Sequence, residues 1–507
     1  MPSRPKIDLH RPEANCWCAL RKDHLRGGAV DRTLQRMIRL DLHDRLKHIA
    51  GPANVATGAD MARWSQDWSG EDRWTPLAVV RPDTADQVAA ILRLANELRI
   101  PIVPVSGNTS MAGGTFADGA VMLSLDRMNR IRDIRPEARV AVAEAGVILA
   151  DLHDAVEAHG LIFPLFFGAR GSAMLGGALS TNAGGSNVLR YGNARALCLG
   201  IEVVTPTGEV MNLMGGLHKD NSGYDLRDLM IGAEGTLGVI TAAVVKLFPR
   251  ARAYATAMVA TRSVNDAVAL LNDLQAETGG AVEAFEYMPG AYIDAHLTRY
   301  PTARPPFEDR YEVNVLVEVG AVADRDAVAG PDGIVPIAAH LENVLTRAFE
   351  AGRVLDAVVA QNDAQRAEMW ARREAAAELA LLRLPFVDND VAVRPDLMQA
   401  LLEQIDQRAK ALDPGIAFLN VAHLGDGNLH FAGWPSSPDP ALMRSISQAV
   451  EEEVVALGGS FSAEHGVGRL KTPAMAAHKD PVALAVMGRI KAALDPNGVL
   501  NPGKVIP

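Results

Sequence analysis

Residues 168–187 read GARGSAMLGGALSTNAGGSN and contain six glycines, with hydroxyl side chains and Asn182 between them. Glycine lets the backbone approach a ligand closely and present its N–H groups, which suits a phosphate. PVSGNTSMAGG at 104–114 and GAEGTLG at 232–238 have the same character, and none of the three matches a Rossmann or Walker motif. A single segment of this kind is more often a tight turn. Three together predict a long ligand, a dinucleotide.

The length, net charge and composition of the chain limit the classes of protein to which it can belong. The 507 residues predict two or three domains, and the formal charge of −11 argues against a nucleic-acid partner, which requires a basic face. No apolar run reaches the roughly 18 residues of a membrane span, and the amino terminus lacks the hydrophobic core of a secretory signal. Three cysteines are too few for a disulfide framework and favour a reducing compartment. We therefore expect a cytoplasmic protein with no membrane span.

Hydrophobic patterns divide the chain into an extension and two domains. Residues 1–36 show no clear period and predict an N-terminal extension. Short apolar strands alternate with amphipathic helices from about residue 78, which predicts a cofactor-binding domain over 37–250, to which 480–507 return. Between about 251 and 361 the elements follow the β-α-β-β-α-β order of the ferredoxin-like motif. A substrate or cap domain with an antiparallel sheet and helices is therefore predicted over 251–479, and the fold class is α+β.

The stretch HLGDGNLH at 423–430 places two histidines symmetrically about Asp426-Gly427. Asp-Gly favours a two-residue hairpin turn, which pairs His423 directly with His430 and puts both imidazoles on one face. With a carboxylate from elsewhere they would form a set of three ligands that leaves a position open on zinc or another divalent ion. The downstream pair Glu464-His465 supplies one ligand and one acid or base. The alternative is that both histidines are structural.

Six segments occur together in an order that resembles a known family. They are PVSGNTSMAGG, GARGSAMLGGALSTNAGGSNVLRYGN, HKDNSGYDLRDLMIGAEGTLGVIT, NVAHLGDGNLHF, FSAEHGVGRLK and LDPNGVLNPGK. They resemble the FAD-dependent D-2-hydroxyacid dehydrogenases of the vanillyl-alcohol-oxidase-like superfamily, particularly the D-2-hydroxyglutarate and D-lactate dehydrogenases. The resemblance covers about residues 40–507. It implies a two-part FAD-binding domain of the PCMH (p-cresol methylhydroxylase) type, a C-terminal cap domain, and an active site between them.

The resemblance also implies roles for individual residues. It places flavin contacts on Ser106, Gly107, Asn108, Thr109, Ser110, Gly171, Ser172, Gly176, Gly177, Asn182, Gly184, Glu234, Ile240 and Asn501. It places the zinc ligands on His423, His430 and Glu464, the general base on His465, and the contact to a substrate carboxylate on Arg373. The implied reaction oxidises a D-2-hydroxy acid to the 2-oxo acid by hydride transfer to flavin N5.

Three positions near Arg373 depart from the hydroxyglutarate-oxidising type. Ala377 stands where a hydroxyl residue is expected, Asp388 where a lysine is expected, and Ala432 where an asparagine is expected. The loss of a cation and the gain of a carboxylate disfavour a second carboxylate on the substrate, because like charges at close range repel. We therefore expect a 2-hydroxy acid less polar than 2-hydroxyglutarate.

Two alternatives stay open at this point. D-2-hydroxyglutarate remains the substrate if another cation, such as Lys219 or Arg383, has taken over the missing role. In the other alternative the chain is a non-catalytic flavin-binding or electron-transfer subunit, against which the intact histidine and glutamate set argues. The electron acceptor is left as an electron-transfer protein, a quinone or a dye, and a homodimer is the candidate assembly.

Overall fold

The computed structural model describes residues 41–68, 70 and 72–507 of the chain. The predicted extension over 1–36 lies outside these described residues. Helices and strands alternate through the rest, and most strand pairs are antiparallel, as the predicted α+β class requires. Every helix among the described residues is too short or too polar to cross a membrane.

A four-stranded sheet forms the first part of the molecule. Its elements are α1 (41–50), β1 (Val55–Ala56), β2 (Ala78–Val80), α2 (Ala85–Leu98), β3 (Ile102–Val105) and β4 (Val121–Ser124), with 3-10 helices at Pro52–Asn54 and Gly58–Trp64. The strand order is β1-β2-β4-β3. Helix α2 begins after its N-cap Thr84, whose hydroxyl accepts a hydrogen bond from the Gln87 N–H (3.2 Å). Its apolar face is buried, which anchors it to the sheet.

A five-stranded antiparallel sheet forms the second part. Its strands are β5 (Ile131–Arg135), β6 (Val140–Glu144), β8 (Cys198–Val204), β9 (Val210–Leu213) and β10 (Val239–Lys246), beside a small pair of β7 (Leu161–Ile162) and β11 (Phe248–Pro249). The helices of this part are α3 (Leu149–Glu157), α4 (Leu175–Thr181), α5 (Val188–Tyr191) and α6 (Leu226–Met230). The strand order is β5-β6-β10-β8-β9. Helices α3 and α4 pack on one face of this sheet and share its apolar core.

An eight-stranded antiparallel sheet forms the cap. Its strands are β12 (Ala253–Thr261), β13 (Val282–Pro289), β14 (Val313–Ala321), β15 (Val354–Val359), β16 (Val387–Ala392), β17 (Ala417–Phe418), β18 (Val421–His423) and β19 (Asn428–Trp434). Its helices are α7 (Val264–Thr278), α8 (Gly290–Arg299), α9 (Asp324–Ala327), α10 (Pro336–Glu350), α11 (Asp363–Glu374), α12 (Ala376–Ala380), α13 (Met398–Leu412) and α14 (Pro440–Ala456), with a 3-10 helix at Pro395–Leu397. The strand order is β15-β12-β14-β13-β18-β19-β16, with β17 against β19.

The predicted β-α-β-β-α-β motif is confirmed as the first half of this sheet, from β12 to β15 with α7 and α10. Helix α8, which lies between β13 and β14, was not predicted. One face of the sheet is covered by α7, α10, α13 and α14, and these helices bury alternate residues of each strand in a large apolar core. The opposite face carries the polar residues of the candidate site.

The carboxyl-terminal helices α15 (Thr472–His478) and α16 (Pro481–Leu494) lead the chain back to the first part. The Ile102 N–H of β3 donates to the Val499 carbonyl (2.8 Å), and the Asn501 N–H donates to the Ile102 carbonyl (2.8 Å). This pairing is the parallel bridge between Ile102 and Leu500. The tail therefore extends the first sheet and brings Asn501 beside the turn that follows β3.

Candidate active site

The two predicted metal histidines lie on neighbouring cap strands, in a register that differs from the prediction. The His423 carbonyl accepts from the N–H groups of Asp426 (3.2 Å) and Gly427 (3.0 Å), which closes a four-residue turn over 424–427 instead of a two-residue turn. His423 therefore pairs with Asn428, and the predicted direct pairing with His430 is wrong. Because the shift is two residues, both imidazoles still project from the same face. Their ring centroids are 5.3 Å apart.

Glu464 completes a possible metal-binding set. The candidate ligand atoms of His423, His430 and Glu464 all lie within 4.8 Å of one another, and His430 Nε2 is 3.6 Å from Glu464 Oε1. Neighbouring ligands of a tetrahedral zinc ion are about 3.4 Å apart at the usual zinc–nitrogen and zinc–oxygen distances. Asp390 and His465 form a second set with His430 by the same criterion. The donors of both sets suit a divalent cation, and their other hydrogen bonds distinguish them.

The buried carboxylate of Asp390 already has several donors. It accepts hydrogen bonds from the backbone N–H groups of Glu464 (2.9 Å) and His465 (2.8 Å), and from the Asn428 side chain (2.8 Å). Burial opposes ionisation, but the nearby His465 and Lys471 outweigh it and hold the pKa of Asp390 well below its ordinary value. Since its oxygens are occupied, Asp390 is less available to a cation than Glu464 is. The set with His423 is therefore the better candidate.

A second buried carboxylate, Glu286 of β13, contacts both His423 and Arg373. His423 Nδ1 lies 2.8 Å from both oxygens of Glu286, and Arg373 Nε lies 2.8 Å from Oε2. Burial alone would raise the pKa of Glu286, but His423 and Arg373 hold it below its ordinary value. Burial disfavours protonated His423, yet the Glu286 carboxylate raises the pKa of His423 to about 8. The contact between Arg373 and Glu286 is an ion pair without hydrogen-bond geometry. Among the described residues, Arg373 Nη2 is buried without a hydrogen-bond partner, so it is available to an anion.

Residues 460–470 connect the cap sheet to the glycine-rich segment 232–238. Ser460 forms a bridge with Ala392 of β16. Further along, the buried Glu234 carboxylate accepts from the N–H groups of Val467 (2.7 Å) and Gly468 (2.8 Å). The segment that carries Glu464 and His465 is thus fixed at both ends, to the cap on one side and to the third glycine-rich segment on the other.

The three glycine-rich segments meet beside this connection. A Cβ on Gly107 would lie 2.3 Å from the Ser172 carbonyl oxygen, so the first and second segments are in contact. The Glu234 N–H donates to the Ser180 carbonyl (2.8 Å), which brings in the third segment. A Cβ on Gly184 would lie 2.8 Å from Glu464 Oε2. The structure therefore brings together the predicted cofactor segments and places them against the possible metal ligand.

The predicted flavin contacts surround this junction. Ser106, Gly107, Asn108, Thr109 and Ser110 follow β3. Gly171 and Ser172 precede α4, Gly176 and Gly177 lie in its first turn, and Asn182 and Gly184 follow it. The Asn501 side chain donates to the Glu234 carbonyl (2.8 Å), while its Oδ1 is buried without a partner among the described residues. The Glu234 side chain holds residues 467–468, and the Ile240 side chain lies in the apolar core. Only the backbone of these two residues is left for a cofactor.

Two of the positions that depart from the family lie on the face of the site. Asp388 and Ala432 are cross-strand partners, each two residues from Asp390 and His430 respectively, which is about 7 Å along the strands. Asp388 is an exposed residue, but desolvation of its carboxyl group by the surrounding protein raises the pKa of that group, although His465 and Lys471 oppose this. Ala377 is exposed on α12.

The two cations that could replace the missing lysine, Arg383 and Lys219, lie in different parts of the molecule. The exposed Arg383 places its guanidinium over the ring of Trp434, 5.2 Å from the centroid and two residues beyond Ala432. Lys219 is exposed, and its neighbour His218 lines a pocket of about 360 Å³ with Arg227 and Lys246 beside the five-stranded sheet.

Sequence reasoning missed Glu286 and Asp390, the two buried carboxylates behind the candidate ligands. Both lie in strands whose apolar pattern they interrupt, AVEAFEY for Glu286 and VDNDVAV for Asp390. A charged residue inside a buried strand is rarely left without a partner, and this interruption was the available signal. The identity of the partner required the strand pairing, since Glu286 and His423 are 137 residues apart.

Comparison with known proteins agrees with this architecture. The family described as FAD binding domain matches residues 76–214, and the family of FAD-linked oxidases, C-terminal domain, matches residues 250–505. A D-2-hydroxyglutarate dehydrogenase from Xanthomonas citri pv. viticola is 34% identical over 457 residues, covering 88% of this chain and 93% of the relative. One from Stutzerimonas stutzeri is 33% identical over 471 residues, covering 92% and 98%.

A solved structure supports the fold independently. Crystalline p-cresol methylhydroxylase with bound substrate superposes with a TM-score of 0.69 at 18% identity, covering 92% of this chain and 96% of that one. The chain belongs to the FAD-linked oxidases, and among them to the FAD-dependent hydroxyacid dehydrogenases. The predicted family and the PCMH-type fold are thereby confirmed.

Proposed function

We propose that this enzyme oxidises a D-2-hydroxy acid to the corresponding 2-oxo acid, with FAD as oxidant and a divalent cation, zinc in the first place, beside the substrate. The observation that carries the proposal is the contact between the two halves of the site. Gly184 of the cofactor segments lies against Glu464, and Glu464 Oε1 is 3.6 Å from His430 Nε2. A substrate held at the cation would therefore lie next to the flavin.

The residues present fit both groups. FAD would be held by the turn Ser106–Ser110, the segment 171–184, Asn501, and the backbone of Glu234 and Ile240. A Cβ on Gly171 would meet nothing within 4 Å, which leaves room there, and Asn501 Oδ1 is an acceptor with no donor among the described residues. When bound, FAD supplies the acceptor for the hydride of substrate C2.

The cation would be held by His423, His430 and Glu464. Two imidazoles and one carboxylate are a common ligand set of catalytic zinc, and Glu286 at Nδ1 of His423 leaves Nε2 as its free donor. When bound, the cation supplies Lewis acidity at the substrate hydroxyl and carboxylate.

His465 and Arg373 act directly on the substrate in this proposal. The His465 ring stacks on that of His430 with centroids 5.6 Å apart, and its Nε2 is 3.9 Å from Glu464 Oε1. As a neutral imidazole it accepts the proton of the substrate hydroxyl. Arg373, whose Nη2 has no protein partner among the described residues, donates to the substrate carboxylate.

Asp388 and Ala432 support a substrate less polar than D-2-hydroxyglutarate. The carboxyl group of Asp388 lies on the face of the site, about 7 Å along the strand from Asp390, and its cross-strand partner Ala432 offers no hydrogen-bond donor. A second substrate carboxylate at that position would face a like charge. D-Lactate or a larger apolar D-2-hydroxy acid avoids this repulsion.

The second candidate is D-2-hydroxyglutarate itself. The curated relatives that cover nearly the whole chain carry that substrate in their names. Arg383, at the end of the same sheet face, is a cation that an extended distal carboxylate could reach.

A kinetic screen separates the two candidates. Purified enzyme is assayed with D-lactate, longer apolar D-2-hydroxy acids, D-2-hydroxyglutarate and the L-enantiomers, with an artificial dye as electron acceptor. The proposal expects kcat/KM for D-lactate or an apolar D-2-hydroxy acid to exceed that for D-2-hydroxyglutarate by at least about tenfold, or about 1.4 kcal/mol. A preference for D-2-hydroxyglutarate would establish the second candidate, and no turnover of any D-2-hydroxy acid would refute the reaction class.

A further inference from the structure

Glu286 stands out among the buried groups because it touches two parts of the proposed machinery at once. It lies in β13 with 1% of its surface exposed, between a proposed cation ligand and the proposed substrate arginine. Both of its oxygens are 2.8 Å from His423 Nδ1, and Oε2 is also 2.8 Å from Arg373 Nε. Strand pairing fixes the first contact, since Glu286 and His423 are cross-strand partners.

The contact with His423 determines which ring nitrogen is free. A carboxylate at Nδ1 favours the tautomer with the proton on Nδ1, which leaves the Nε2 lone pair for a cation and fixes the plane of the ring. The contact between Glu286 and Arg373 likewise fixes the position of the guanidinium group. It is an ion pair at Nε that does not have hydrogen-bond geometry, and it holds the guanidinium beside Glu286 while Nη2, buried and without a hydrogen-bond partner among the described residues, is available to a substrate.

We propose that Glu286 is a positioning residue that orients His423 for the cation and Arg373 for the substrate carboxylate at the same time. The inference rests on the proposed function, because it assigns Glu286 a role toward the cation and the 2-hydroxy acid named there. Its consequence is that cation affinity and substrate affinity depend on one carboxylate, although Glu286 touches neither ligand.

Glu318 provides a matched control in the same sheet. It is also buried in the cap, at 3% exposure, and it also holds helix α11. Its carboxylate accepts from Arg366 Nε (2.6 Å) and Trp370 Nε1 (2.9 Å), both on the helix that carries Arg373. Glu318 makes no described contact with the three histidines or with Arg373. If Glu286 served only to anchor α11, the two residues would be equivalent.

The test compares Glu286→Gln with Glu318→Gln in the flavin-loaded full chain. After removal of metal, zinc is titrated in competition with a chromogenic chelator, and KM and kcat are measured separately for the best D-2-hydroxy acid. The amide removes the negative charge that pairs with Arg373, and it presents an N–H donor in place of one of the two oxygens that face His423 Nδ1. We expect Glu286→Gln to lower zinc affinity about 10- to 100-fold, the usual effect of losing a partner behind a metal ligand, and to raise KM. Glu318→Gln should change neither quantity by more than about twofold, although both variants lower the thermal midpoint.

Equal zinc affinity and equal KM in Glu286→Gln and the wild type would overturn the inference, as would equal losses in both variants. If Glu286→Gln does not fold, Glu286→Asp keeps the charge but is too short to span both partners, and the same loss of zinc affinity is expected. Failure of the proposed function has a different signature. In that case the wild-type protein itself neither retains zinc nor oxidises a D-2-hydroxy acid.

Discussion

The three glycine-rich segments 104–114, 168–187 and 232–238, which we propose as the flavin cradle, offer mainly backbone groups and close packing, whereas the cap face beside them offers ionisable side chains. In the cradle, Gly107 and Gly184 are packed so closely against Ser172 and Glu464 that a methyl group would collide with them. On the cap face, two buried carboxylates, Glu286 and Asp390, hold histidines and backbone N–H groups in place. Flavin affinity should therefore fall when a side chain in the cradle is enlarged and should depend little on charge there. On the cap face, cation affinity should depend on charge more than on side-chain volume.

The largest effect is expected on the cap face, from His430→Ala. Two remaining ligands hold a cation poorly, and loss of Lewis acidity removes several kcal/mol of transition-state stabilisation. Turnover should fall about 10⁴-fold, and bound zinc should be lost, while the flavin content stays at the wild-type level. Metal analysis and the flavin spectrum of the same sample check this. A variant that loses flavin together with zinc would show that flavin binding in the cradle depends on the cation site of the cap face.

His465→Ala tests the division of labour between Glu464 and its neighbour. The variant should keep both zinc and flavin and lose about 10²–10⁴-fold in kcat, the usual contribution of a general base. Zinc content and single-turnover flavin reduction are the measurements. Loss of zinc as severe as in His430→Ala would mean that His465 is a ligand, as in the alternative set with Asp390.

The cradle is tested by volume at Gly107. In Gly107→Ala the added methyl would lie 2.3 Å from the Ser172 carbonyl oxygen, so the two segments must separate. An overpacked contact of this kind costs about 1–3 kcal/mol, and we expect flavin to bind at least about tenfold more weakly while zinc affinity is unchanged. Gly168→Ala is the control, since a Cβ there meets nothing within 4 Å. Equal flavin affinity in the two variants would contradict the role given to close packing.

The smallest effect is expected at Asp388, which concerns specificity alone. Asp388→Lys replaces a like charge with an opposite one and should shift the ratio of kcat/KM values toward D-2-hydroxyglutarate by about tenfold. Asp388→Asn is the matched control and should produce a smaller shift, because it removes repulsion without adding a cation. A ratio that stays the same in both variants would remove Asp388 from the specificity argument.

Local patterns were sufficient to predict much of the cap. Helices α7, α10, α13 and α14 have a clear apolar period, and β12 to β15 form the predicted ferredoxin-like motif because each strand is a distinct apolar run. The turn at Asp426-Gly427 shows the limit of such reasoning. Asp-Gly permits a two-residue turn, but Gly427 packs against the Val393 carbonyl, and the chain adopts a wider turn instead. The contact with Val393, 34 residues away in sequence, lies outside the reach of a local pattern.

The candidate metal ligands could be named from the sequence, whereas the buried carboxylates that contact them could not. His423, His430 and Glu464 were identified from short motifs and from the family resemblance, and the structure brings their donor atoms together. Glu286 could not be assigned, because its contact with His423 depends on pairing between strands that are distant in sequence. Glu234 was expected to reach the cofactor, and only the folded chain shows that its carboxylate binds residues 467–468.

The central claim is that flavin and cation act on one substrate at the junction of these two regions. The most direct test mixes oxidised, flavin-loaded enzyme anaerobically with a D-2-hydroxy acid and follows the visible absorption of the flavin, first with zinc bound, then after chelation, and then after zinc is restored. We predict rapid bleaching with zinc, a loss of about 10³-fold or more in rate after chelation with the flavin still bound, and recovery on zinc addition. Bleaching at the same rate in chelated and zinc-loaded enzyme would contradict the claim.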